Sequence, residues 1–92
     1  MTHVVHNMAE QRFEIALEDG DLALADYRRE GDRVIFPHTV VPAAHGGQGL
    51  GSALVRASLD WARAEKLQVV PSCSFFRSYM ERHPETQDLL GR

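Results

Sequence analysis

Four of the seven glycines in this 92-residue chain, Gly46, Gly47, Gly49 and Gly51, fall within six consecutive positions. Glycine costs backbone entropy wherever it is fixed, so such a cluster has a local reason, either a sharp turn or a close approach of the backbone to something else. The cluster also divides the chain by period. Before it apolar residues alternate, and after it they recur at helical spacing. The glycines therefore join a strand to a helix.

Residues 12–17 alternate, with Phe13, Ile15 and Leu17 on one face and Arg12, Glu14 and Ala16 on the other, which reads as a half-buried strand. Glu18-Asp19-Gly20-Asp21 ends it in a turn. Residues 22–29 form a second strand, and Gly31-Asp32 reverses the chain into a third over 33–41, completing an antiparallel meander. Pro37 lies inside the third strand and cannot donate to a ladder, so a bulge or splayed edge is expected there. Beyond the glycines, Leu50, Leu54, Ala57, Trp61 and Ala64 form one stripe of an amphipathic helix over residues 50–66. Leu67 to Pro71 is a short strand, and Ser74 to about Arg82 is a second helix that stops before Pro84. The last eight residues carry no readable pattern.

The order β-β-β-α-β-α predicts a mixed α/β (α+β) fold: a meander, then a β-α-β unit, then a short C-terminal helix. The right-handed crossover makes the third and fourth strands parallel. The loop at 42–49 and the segment from Ser72 then leave the same, carboxyl end of the sheet, where open α/β sheets hold ligands. Without repeats or linkers, residues 1–92 read as one domain. A net charge of −3 leaves no footprint for nucleic acid. No apolar run approaches the roughly 18 residues of a membrane span. One cysteine forms no internal disulfide, and the first residues lack a signal-peptide layout. A cytoplasmic protein with neither nucleic acid nor membrane as partner is expected.

A glycine-rich turn entering a helix exposes backbone N–H groups and the positive end of the helix dipole, which suits a phosphate or pyrophosphate. A Walker A loop is excluded because Ser52 stands where its lysine belongs. The dinucleotide fingerprint fails from either Gly47 or Gly49, since Ser52 or Leu54 occupies its last glycine position.

The stretch Val40-Val41-Pro42-Ala43-Ala44-His45-Gly46-Gly47-Gln48-Gly49-Leu50-Gly51-Ser52-Ala53-Leu54 resembles the acetyl-CoA loop and following helix of the GNAT superfamily of N-acetyltransferases. The superfamily pattern is [Gln/Arg]-x-x-Gly-x-[Gly/Ala]. Gly49 and Gly51 match its last two fixed positions, and Gly46 replaces the expected Gln or Arg. His38-Thr39-x-Val41-Pro42 and Pro71-x-Cys73-Ser74-Phe75 are similar to the corresponding segments of a minimal, short GNAT-like family. The resemblance implies an acetyl-CoA-dependent N-acetyltransferase acting on a small-molecule or peptide amine, as a monomer or homodimer. It implies that coenzyme A lies along the loop residues Gly46, Gly47, Gln48, Gly49, Leu50, Gly51 and Ser52, with its pantetheine arm along Thr39, Val40 and Val41. His45 would touch its phosphates. It also implies strands that part beside the helix to admit the thioester.

Three candidates for catalysis follow. Cys73 ends the fourth strand, where the resemblance puts the thioester, and a cysteine there serves as acyl acceptor or proton donor unless it is a small buried hydrophobe. His38 suits a general base and partners Cys73 if both face one side of the sheet; otherwise it is a hydrogen-bonded strand histidine. Tyr79 resembles the GNAT tyrosine that protonates the departing thiolate, while its spacing from Phe75 and Phe76 also fits a core position. His3, His6, His45 and His83 lack metal-ligand spacing with Cys73, and no metal is expected. A coenzyme-A-binding module without turnover is the alternative, because the chain is shorter than a full GNAT domain. A phosphate- or nucleotide-binding module is a third.

Overall fold

In the computed structural model, which describes residues 3–90, five strands lie side by side in sequence order. They are β1 (Val5–Asn7), β2 (Arg12–Ala16), β3 (Leu22–Glu30), β4 (Arg33–Val40) and β5 (Gln68–Val70). Strands β1 to β4 are antiparallel, and β5 runs parallel to β4. The connection from β4 to β5 contains α1 (Leu50–Ala64), and α2 (Ser74–Arg82) follows β5. The expected mixed α/β class and its β-α-β unit are therefore found.

Alternation in the strands decides which face is covered. Phe13, Ile15, Ala23, Ala25, Val34 and Phe36 point to one side, where they bury Leu54, Val55 and Leu59 of α1 and Phe76 and Met80 of α2. Phe36 and Phe76 stack with centroids 4.2 Å apart, tying β4 to α2. Both helices thus share one face. Glu14, Leu24, Asp26 and Ile35 are half-buried on the other, which no helix of the described residues covers.

Helix α1 is shorter than the expected 50–66. Its last turn closes on Leu67 N–H to Ala62 O, 2.9 Å, and Lys66 N–H to Arg63 O, 3.1 Å. That is a Schellman ending with Lys66 at a left-handed φ of 59°, where glycine is usual. Leu67 leaves it buried, which offsets the strain.

Two elements carried no signal in the sequence. Strand β1 is only three residues long, too short for a period. Side chains hold it: His6 stacks on Phe13 at 4.2 Å, meets Trp61 at 5.0 Å, and its Nε2 lies 2.7 Å from Tyr27 Oη. The C-terminal stretch Pro84–Leu89 forms a 3-10 helix rather than a loose tail. Arg63 of α1 fastens it through Asp88 at 2.6 and 2.9 Å and through Glu85 O at 3.0 Å. Leu90 then bridges Val69 at the free edge of β5. Among the described residues, no helix is long and apolar enough to cross a membrane.

Burial holds the His6 imidazole below its ordinary value of 6.5, against a smaller opposing effect of Glu65. A histidine with a lowered folded value lends stability that is present above 6.5 and is lost as pH falls through the folded value. Urea unfolding at pH 7.5 and 5 should therefore show a larger acid loss for wild type than for His6→Phe. An equal loss in both refutes the assignment.

Candidate active site at the parting of two strands

Strand β5 accompanies β4 for only three residues, through the pairs Arg33–Gln68, Val34–Val69 and Ile35–Val70. One more bond, Cys73 N–H to Phe36 O at 3.0 Å, closes the contact. Strand β4 then continues to Val40 beside β3 alone, while Pro71 and Ser72 turn away. Arg77 holds that turn by donating to Pro71 O at 3.2 Å and Ser72 O at 2.6 Å. Cys73 caps α2 from this turn, and its thiol donates to Thr39 Oγ1 at 3.3 Å. The parting expected near Pro37 is present, and Thr39 faces Cys73 across it.

The same place corrects one expectation. Asp26 pairs with His38 and Arg28 with Ile35, so Tyr27 alone opposes both Phe36 and Pro37. This is a β-bulge, at the residue that has no N–H to give. An extra residue exchanges the faces of everything beyond it. By strict alternation His38 would follow Val34 and Phe36 onto the helix-covered side. Instead Thr39, opposite the fully buried Ala25, takes that side and meets Cys73. His38 points the other way, its backbone N–H donating to Asp26 Oδ1 at 3.1 Å and its Nδ1 to Asp26 Oδ2 at 3.2 Å. His38 and Cys73 are therefore not paired.

Tyr79 is buried and stacks on His83 with centroids 4.0 Å apart. It lines a groove of about 460 Å³ with Ser52, Ala53, Arg56 and Asp60 of α1. It packs between α2 and α1 and also borders this groove.

The glycine loop does two kinds of work. Gly47 and Gly49 have φ of 80° and 77°, with nothing within 4 Å of where a Cβ would stand. They bend the chain through left-handed positions and leave its amides open. Gly49 caps α1, whose first backbone bond runs from Ala53 N–H to Gly49 O at 3.0 Å. Helix geometry thus leaves the amides of Leu50, Gly51 and Ser52 without a carbonyl four residues back. No acidic residue sits in that first turn to cancel the helix dipole. These donors fit a pyrophosphate. Gly51 differs: a Cβ there would lie 2.5 Å from Phe75 Cε1, so its bareness lets α1 approach α2. Leu50 is buried and offers only its amide, while Val40 is about half exposed and Val41 half-buried along the parting.

His45 has a partner that sequence spacing did not show. Its Nε2 lies 2.7 Å from Asp19 Oδ2 in the β2–β3 turn. That bond is the main reason that His45 is held above, and Asp19 below, its ordinary range. The pair fastens the glycine loop to the meander. Asp21 stands close enough that one ligand atom from each of the three residues falls within 4.8 Å of the others.

Residues 12–89 match the family of GCN5-related N-acetyltransferases, and the chain belongs to that family. It is an acyltransferase by fold and descent. It is 31% identical over 88 residues to protein NATD1 of Mus musculus, an alignment covering 94% of this chain and 80% of that one. NATD1 of Homo sapiens gives the same identity, with 94% and 78% covered. An NMR solution structure of a GCN5-like protein from Staphylococcus aureus superposes with a TM-score of 0.76 at 31% identity, covering 97% of this chain and 87% of that one.

The two glycine roles are separable. Gly49→Ala should cost about 1–2 kcal/mol through left-handed strain, whatever stands at position 75. Gly51→Ala should cost about 1–3 kcal/mol through overpacking and lose most of that cost in a Phe75→Ala background. Urea denaturation of the single and double variants measures both. Equal behaviour of the two glycines disproves the distinction.

Proposed function

We propose that this chain transfers an acetyl group from acetyl-CoA to an amine. The observation that carries the reading is a coincidence of place. The N-terminus of α1, which no side chain caps, opens at the same end of the sheet as the parting between β4 and Cys73. An anion and a thin apolar arm are thereby accommodated together. The amides of residues 47–52 suit the pyrophosphate, while the Gly46 N–H is already bonded to Ala43 O at 3.2 Å and its lack of a side chain leaves the approach open. Thr39, Val40 and Val41 suit the pantetheine arm. Acetyl-CoA, when bound, supplies an activated acyl carbon and a thiolate leaving group. Cys73 then holds a proton on Sγ at the parting, shared with Thr39 Oγ1.

A second reading, a coenzyme-A-binding module without turnover, has one observation in its favour. Cys73 is only 9% exposed and its thiol already has a partner, as a structural cysteine would.

Ser52 separates binding from folding. Ser52→Glu puts a carboxylate in the first turn of α1, where it should stabilise the fold by about 0.3–1 kcal/mol. Beside a bound pyrophosphate the same charge should weaken acetyl-CoA binding about tenfold or more. Isothermal titration and urea unfolding read the two effects. No heat of binding in wild type at millimolar acetyl-CoA overturns the proposal. Cys73→Ala should keep binding and lose thiol release in the presence of an amine panel. Binding without release in wild type supports the second reading.

A further inference from the structure

The bulge at Phe36–Pro37 sends two polar side chains of β4 to opposite faces at the same place. Thr39 goes to Cys73 on the helix side, and His38 goes to the side that no helix of the described residues covers. The two faces are built differently. On the helix side the parting is closed by the Cys73–Thr39 contact and by Arg77 holding the turn. On the open side the His38 side chain is 70% exposed and that of Asp26 38%.

Exposed histidines on a strand normally rotate. His38 is held at two points by one carboxylate, since Asp26 accepts both its backbone N–H and its Nδ1–H. An ionised carboxylate only accepts, so the neutral imidazole must carry its proton on Nδ1 and leave the lone pair on Nε2. The ring is thereby set in one tautomer and one orientation, with the basic nitrogen outward. Nothing in the packing requires this arrangement: neither residue belongs to the hydrophobic core.

We propose that Asp26 is a positioning residue that presents His38 Nε2 on the uncovered face of the sheet, and that the acceptor amine enters from that face, opposite Cys73. This rests on the acetyl-transfer reading given above. The acceptor nitrogen attacks the acyl carbon, the carbon–sulfur bond breaks, and the amine proton passes to His38 Nε2. The proton for the departing thiolate comes from the Cys73 side. Base and acid thus stand on opposite sides of the strand. A face without covering helices admits an amine carried on a larger body, such as a lysine of a peptide.

The first test needs neither donor nor acceptor. Long-range nitrogen–proton spectra of labelled protein at alkaline pH should show His38 with Nδ1 protonated and Nε2 bare. Asp26→Ala should abolish that preference while leaving the backbone spectrum dispersed. A wild-type His38 protonated on Nε2 overturns the proposal. The second test reads transfer across a panel of amines and lysine peptides. His38→Gln should lower kcat about 100-fold and Asp26→Ala about tenfold or more. The KM for acetyl-CoA should stay unchanged, because both residues face away from the loop. A wild-type rate that Asp26→Ala leaves intact overturns this proposal alone. Absence of transfer from wild type, with the tautomer as expected, overturns the acetyl-transfer reading itself and the use of the base with it.

Discussion

Pro37 lies inside a strand that is paired on both sides, and it has no N–H to contribute. The chain accommodates it by a bulge in which Tyr27 opposes both Phe36 and Pro37. The faces of the following residues exchange, so Thr39 reaches Cys73 and His38 reaches Asp26. The ladder to β5 ends beside the bulge, at Phe36, where Pro71 and Ser72 turn away under the hold of Arg77. The candidate site lies where the bulge and this turn meet.

The glycine loop meets that parting from the other side, and its four glycines are not equivalent. Gly47 and Gly49 occupy left-handed positions with open space around them, which is how a backbone offers its amides. Gly51 is bare because the Phe75 ring stands against it. The loop is shaped by its own 3-10 bonds, His45 N–H to Pro42 O and Gly46 N–H to Ala43 O, and is tied to a turn 26 residues earlier by His45 and Asp19.

A chain this short has a small core, and side-chain ties complete it. His6 binds the three-residue strand β1 to Phe13, Tyr27 and Trp61. Arg63 binds the C-terminal 3-10 helix to α1. Both ties secure segments at the sheet margins that would fray on backbone bonds alone.

The sequence by itself determined the elements with a sustained period: the alternation through Phe13 and Ile15, the stripe from Leu50 to Trp61, and the stop of α2 before Pro84. It also determined the bulge, because proline's missing donor is a local property. It was silent on β1 and on Pro84–Leu89, whose order comes from partners distant in the chain. The candidate site was legible as residue types and not as an arrangement. His38, Thr39 and Cys73 could be named from their positions, but which of them meet depended on the side of the sheet each faces. That depends on the phase of the pleat after the bulge, a count set by pairing with β3. Only the tertiary structure, by setting Ala25 against Thr39 and Asp26 against His38, decided it.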